Sequence, residues 1–427
     1  MTTSRILHAL PVLETEPARR GPDRATDRRV AFAGLALALA FLALAVASLA
    51  VPADSRLGLW LPVHLALAGA AGTAIAAMLP FFVAALSVGR PAPAVLRIAS
   101  LVLVVGGAVL GIAGRILAGG GISTLAAAGA ASYVVGIALV GIAAALPLRG
   151  ATGTRRPLTE SAYAVGLVDI VVGVTIVALY LAGDPRVAGA WPHLRIVHAW
   201  LNLMGFVTLV IAGTLVHFAP TVVGSRIRRR RSATVAVALL AVGAPVVAFG
   251  YVVGSGVVAG IGALVAVAGA GALALHGAHA YRDRAGWTTD LPWHRFAGGS
   301  LLVAPVWLVV ALLVAAAEIA AHGTEPVSWR LADLVGPLVL GFVVQVVLGS
   351  VTHLVPAVGP GTLATHARQR SLLGRAATGR LLGWNLGVAV LTAGQLGGVG
   401  QITVAGSVIV LASGVATLAV LGASLRR

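Results

Sequence analysis

An all-α polytopic membrane bundle of about twelve transmembrane helices is predicted by this 427-residue sequence. The composition is 59% hydrophobic and only 10% charged, with a mean hydropathy of +0.99. Apolar runs of ~18 residues or more, the length that crosses a hydrocarbon core, recur along the whole chain. The arginines fall into the short segments between these runs, where loops would lie.

Taken in order, the first span covers 30–51, directly after Arg28 and Arg29. The second, 57–87, carries His64, Met78 and Pro80. The third, 93–118, contains Gly106-Gly107-Ala108 and stops at the turn Gly119-Gly-Gly121. Small residues of this kind let helices approach closely in lipid. The fourth is 122–147, and the fifth, 161–183, holds Asp169, the most deeply placed carboxylate. The sixth runs 192–223 from His198 to His217 and Pro220, and the seventh, 232–253, follows a run of five arginines. The eighth, 256–280, has His276 and His279 three residues apart on one face. The ninth, 294–321, includes Glu318; the tenth, 328–357, includes Asp333, Gln345, His353 and Pro356. The eleventh and twelfth, 376–394 and 400–424, complete the set, with Asn385 and nearby Gln395 as further polar groups. At 1.5 Å per residue each run reaches across a core of about 30 Å.

Charge placement tests the count independently, because an even number of spans puts both termini on one side. Of the 30 basic residues, all arginine, 25 fall on the side of the termini and 5 (Arg56, Arg115, Arg186, Arg195, Arg330) on or near the other. The positive-inside rule then predicts a cell-membrane protein with both termini cytoplasmic. Residues 1–29 have no apolar core long enough for a secretory signal and are expected to form a mobile cytoplasmic tail, with 30–427 a single twelve-helix membrane domain. The formal charge of +17 does not point to nucleic acid, since the arginines sit in loops with no interleaved aromatics. The partner they imply is the bilayer, and Arg226 to Arg231 would attract anionic headgroups.

The absence of cysteine removes disulfides, thiolate metal sites, iron–sulfur clusters, covalent c-type haem and thiolate-bridged copper. A bound metal must use imidazole, carboxylate, thioether or water, and Met78 and Met204 are the only thioethers besides Met1.

A faint internal repeat organises the candidate ligands. Gly213-Thr-Leu-Val-His217-Phe-Ala-Pro220 matches Gly349-Ser-Val-Thr-His353-Leu-Val-Pro356, and Ala77-Met-Leu-Pro80 stands at the corresponding place in the second span. Prolines at 80, 220 and 356 are about four helices apart and predict three four-helix units running in the same sense. The second, sixth and tenth spans would all run outward to inward. His64 and His198 then begin their helices on the outer side, while His217, His353, His276 and His279 lie near the inner ends. His198 and His217, 19 residues apart, are separated by roughly 28 Å of α-helix and cannot share one metal.

Two sites are the economical expectation. His64 and His198 would bind haem b axially or join a copper site. His217, His353, His276 and His279 form a weaker inner group of metal-ligand candidates. Histidines at helix ends also serve simply as polar groups facing interfacial water, and a proline three residues after a histidine also just marks a helix exit. Asp169 suits a proton relay or a buried structural partnership equally, because an ionised carboxylate in lipid requires a partner or water.

The stretch Val197-His-Ala-Trp-Leu-Asn-Leu-Met-Gly-Phe-Val-Thr-Leu-Val-Ile-Ala-Gly-Thr-Leu-Val-His-Phe-Ala-Pro220 resembles a helix of the haem–copper oxidase subunit I superfamily. The resemblance is closest to the NnrS family of haem and copper membrane proteins linked to nitric oxide stress, and to the membrane regions accompanying bacterial copper oxidases of nitrite-reductase type. Val63-His-Leu-Ala-Leu-Ala-Gly69 onward to Phe82-Val-Ala-Ala-Leu86 resembles the second helix of the latter. Twelve helices in three four-helix arcs is also what the resemblance implies, with His64 at the place of an outer haem ligand. The chain departs from the oxidases elsewhere. The seventh span has no histidine, His198 and His217 are followed four residues on by Asn202 and Thr221 rather than tyrosine, and the outer half of the tenth span has no histidine. Proton-pumping oxygen reduction is therefore not expected. The resemblance implies an integral membrane haem- or copper-binding protein acting in electron transfer or in copper or nitrogen-oxide handling, beside a copper oxidase or nitrite-reductase-type partner on the outer face. If it is an enzyme, it is an oxidoreductase. A proton-coupled permease using the same histidines and Asp169, and a non-catalytic membrane anchor for a partner oxidase, are the alternatives from other classes.

Overall fold

The computed structural model describes residues 22–149, 151–152, 157–228, 230–284, 291–359 and 361–426. Among them there is no strand, and thirteen helices follow one another. They are α1 (Pro22–Ser48), α2 (Trp60–Ser87), α3 (Ala94–Leu117), α4 (Thr124–Arg149), α5 (Pro157–Leu181), α6 (Pro185–Val223) and α7 (Arg231–Val252). Then come α8 (Gly256–Arg282), α9 (Leu291–His322), α10 (Pro326–Ala357), α11 (Leu363–Leu373), α12 (Ala377–Leu396) and α13 (Gly400–Leu425).

Eleven of these are long and apolar enough to cross a membrane. The expected twelfth is α12, a 20-residue helix whose Arg380, Asn385 and Gln395 dilute its hydropathy. It packs lengthwise along α13 and against α9 and α10, and buries Arg380 and Trp384 there. Hydropathy therefore undercounts a helix whose polar residues are spent inside the protein rather than on lipid. The short, polar α11 is an addition between spans.

The expected tail boundary at residue 29 shifts. Residues 22–29 are helical and belong to α1, while 1–21 lie outside the described residues. The cause is Asp27, which is buried in an ion pair with Arg97 of α3. Arg97 also donates to the carbonyl of Ala77 on α2, at 2.8 Å. A carboxylate taken out of water needs such a cation, so the pair carries α1 inward past the point where its apolar run begins.

Neighbouring helices pair as antiparallel hairpins, most intimately α3 with α4, α7 with α8 and α12 with α13. On α4, Gly129 sits directly on the backbone of Gly107 and Gly111 of α3, with no space for a Cβ. In lipid, where apolar burial gives no advantage to helix contact over tail contact, this close approach is what holds the pair. Gly129→Leu is expected to destabilise the protein by about 1–3 kcal/mol, or to splay the hairpin, seen as a lowered thermal midpoint in detergent.

The helices α6 and α10 are the most enclosed spans, with Trp200, Phe206, Leu209, Leu338 and Phe342 fully buried. Three spans share a feature that regular spacing in sequence marks. A π-helical stretch occurs in α2 at Leu65–Ala71, in α6 at Trp200–Thr208 and in α10 at Val335–Val344. These begin at residues 65, 200 and 335, 135 apart each time, and each lies ahead of the internal proline at 80, 220 or 356. A π-turn adds a residue to the local helix and rotates the turns beyond it, so its recurrence at one spacing in three helices supports a threefold repeat of one unit.

Candidate functional site

The first π-stretch starts immediately after His64, the second two residues after His198, and the third two residues after Asp333. These three residues stand within one residue of register in the three units, at the ends of the spans away from the arginine-rich loops. Such widened helical turns leave backbone carbonyls less committed to the regular ladder and are common where side chains must be aimed.

His64 and His198 come together. Their rings are parallel within 7° and their centres 6.5 Å apart. The two helices that carry them pack on other neighbours, α2 on α1 and α4, α6 on α5 and α7, so the imidazoles meet across the space between. Both are partly buried. His64 Nδ1 lies 2.8 Å from the carbonyl of Trp60, one turn earlier, and the His64 ring stacks on the Trp60 indole at 4.1 Å. His198 Nδ1 lies 3.1 Å from the carbonyl of Gly173 on α5. In each ring Nδ1–H is therefore the donor to a carbonyl, and Nε2 carries the free lone pair. That is the arrangement by which metal-ligating histidines are oriented and made more basic. The side-chain amide of Asn202 is also 2.8 Å from His198 Nδ1. The atom that faces Nδ1 is the amide nitrogen Nδ2, so an Nδ1–H on His198 requires the Asn202 amide to be turned over, which exchanges two groups of equal shape.

The seam between α5 and α6 extends this polar group. Asn202 lies against Gly173, and one turn deeper Asp169 lies against Gly205, in both cases filling the space a Cβ would take. Asp169 is 6% exposed, and its Oδ2 has no hydrogen-bond partner among the described residues. Glycine at 173 and 205 is what lets two polar side chains be buried between closely packed helices. The expected carboxylate is thus on the same seam as His198, although not in contact with it.

Among the described residues no three of His, Asp and Glu gather as a metal-ligand set. His276 is buried with Nε2 3.0 Å from the carbonyl of Val216 on α6, so it joins α8 to α6. His279, three residues on, instead lines a cleft beside Arg230 and Arg231. His353 stacks on Trp293 of α9 at 5.4 Å and has His294 at 6.2 Å. Phe218, the neighbour of His217 in α6, meets the edge of the His353 ring at 5.8 Å. The i,i+3 spacing of His276 and His279 puts them on one helix, but about 100° of rotation per residue is enough to send one into the bundle and the other to its margin. His294 is not among the residues expected from sequence, although its signal is visible there: a histidine beside a tryptophan at the first turn of a span on the same side as His353.

No protein-family model matches the chain, and no curated protein matches it in sequence. Fold and site together define its class: a polytopic, all-helical membrane protein with a pair of partly buried histidines, each held by a carbonyl, between two of its spans.

Proposed function

We propose that this chain is an intramembrane redox protein that holds haem b or a copper ion between His64 and His198. It would act in electron transfer, or in handling copper or nitrogen oxides, beside a copper enzyme on the outer face. The arginine-rich side is then the cytoplasmic one, in a cell membrane.

One observation carries the reading: two parallel imidazoles from different helices, each with Nδ1 turned to a carbonyl. With ring centres 6.5 Å apart, the two imidazoles are near enough to serve one shared ion. The donor set also fits, because imidazole is a ligand for both iron and copper and cysteine is absent from the chain. The group, when bound, supplies one-electron exchange. The protein's part is to fix the two ring tautomers through Trp60, Gly173 and Asn202 and to keep bulk water from the pair.

The test is an optical spectrum, oxidised and dithionite-reduced, of protein made with haem and copper supplied, together with elemental analysis. Haem b gives a sharp reduced α-band and iron near one per chain, whereas copper gives metal without that band. A folded, metal-free and colourless protein would rule the proposal out.

A second reading, a proton-coupled permease, is favoured by Asp169, a buried carboxyl with an oxygen lacking a partner among the described residues. Ionisable residues at this depth serve proton and ion pathways by default. Asp169→Asn separates the two readings. It is expected to leave the optical spectrum unchanged in the redox protein, and to lower proton-dependent flux in proteoliposomes at least tenfold in a permease.

A further inference from the structure

A cleft of about 480 Å³ opens between α7 and α8 at the arginine-rich margin of the bundle. We propose that it binds the headgroup of an anionic phospholipid, a site distinct from the histidine pair and independent of what that pair holds. The polar end of the cleft is formed by Arg230, Arg231, Ser232 and His279, and Val235 and Leu275 continue from it as an exposed apolar wall. A charged end followed by an apolar track facing the bilayer matches a molecule with a phosphate at one end and an acyl chain at the other.

The electrostatics are one-sided. Asp283 pairs with Arg230 and stands 4.0 Å from Arg228, so its charge is taken up by those two arginines. Arg231 has no partner among the described residues. Two further groups lining the cleft have polar atoms that are buried without a hydrogen-bond partner among the described residues, Ser232 Oγ and His279 Nδ1. The first turn of α7 also begins here, and its N-cap, Arg230, makes no side-chain cap. The Ala233 amide already bonds the Arg230 carbonyl, which leaves the amides of Arg231 and Ser232 for an external acceptor. Arginines, a hydroxyl, an imidazole and open amides are all suited to phosphate oxygens, and basic clefts between spans recur as sites for anionic lipid headgroups. A free phosphate would satisfy the polar end alone. The apolar wall favours the lipid.

The experiment is native mass spectrometry of the full chain in mild detergent with phosphatidylglycerol or phosphatidylcholine of identical acyl chains. Phosphatidylglycerol is expected to remain bound at least tenfold more than phosphatidylcholine. Arg231→Ala combined with Ser232→Ala is expected to remove most of that difference. His279→Leu, which leaves every arginine and hence the topology signals in place, is expected to reduce it in the same direction and decides the matter if the first variant fails to fold. Equal retention of the two lipids, or unchanged retention in His279→Leu, would overturn the proposal. Full displacement of the lipid by an equal concentration of inorganic phosphate would also overturn it, in favour of a soluble-anion site.

Discussion

Alanine at either His64 or His198 is expected to abolish cofactor binding, leaving iron or copper below a tenth of the wild-type content and removing the reduced α-band if the group is haem. On the proposed reading a single remaining imidazole would leave the ion with one protein nitrogen, and among the described residues no third His, Asp or Glu joins a ligand set to replace the other. The two single variants should therefore behave alike and like the double variant, because they remove one shared bond system rather than two independent ones. Asn202→Ala acts one step further out. It leaves both Nε2 atoms in place but takes away the side-chain amide that meets His198 Nδ1 at 2.8 Å beside the Gly173 carbonyl. Losing such an orienting partner weakens metal affinity about 10–100-fold. Titration of metal or haem into apo-protein distinguishes this graded loss from the complete loss in the histidine variants. Equal binding by wild type, His64→Ala and His198→Ala would remove the pair from consideration as ligands, and would leave the histidines as polar packing at a helix junction.

The pairing of His64 with His198 was legible because two independent patterns agreed: the depth assigned from span direction, and the register assigned from the repeat. The π-stretches were not legible, since Leu65–Ala71, Trp200–Thr208 and Val335–Val344 are apolar sequences that hydropathy cannot distinguish from ordinary helix. Nor was the position of Asp333, within one residue of register with the two histidines. Its carboxylate lies 3.2 Å from Arg330, one turn earlier, so the third unit places an ion pair where the others place imidazoles. The partners of the inner histidines were not legible for a different reason. Periodicity tells which residues share a helix face, but not which neighbour that face meets, and the docking of α8 against α6 and of α9 against α10 decided that His276 binds a carbonyl and His353 meets His294. Long-range pairings between spans are in general the part of a membrane fold that composition and hydropathy leave open, because every apolar surface is equally compatible with lipid.

Arg97→Leu is expected to be the most destabilising single substitution outside the histidine pair. Asp27 and Arg97 are 6% and 2% exposed, and the guanidinium reaches both the carboxylate on α1 and the Ala77 carbonyl on α2, just ahead of the kinking Pro80. One side chain thus fastens three helices at their shared end. Removing it leaves an unpaired buried carboxylate, at a cost of about 3–5 kcal/mol, much of which is the penalty on Asp27 rather than the worth of the bond. The double variant Asp27→Leu with Arg97→Leu takes away both charges and should recover most of the loss, since replacing a buried pair with apolar groups is often near neutral. Asp27→Leu alone strands the arginine, whose long stem and remaining acceptor at Ala77 soften the effect, so its loss should be smaller than that of Arg97→Leu. Thermal or denaturant unfolding in detergent of the four proteins closes the cycle. Additive losses in the double variant would show that the two residues act separately and that α1 is held by its apolar face alone.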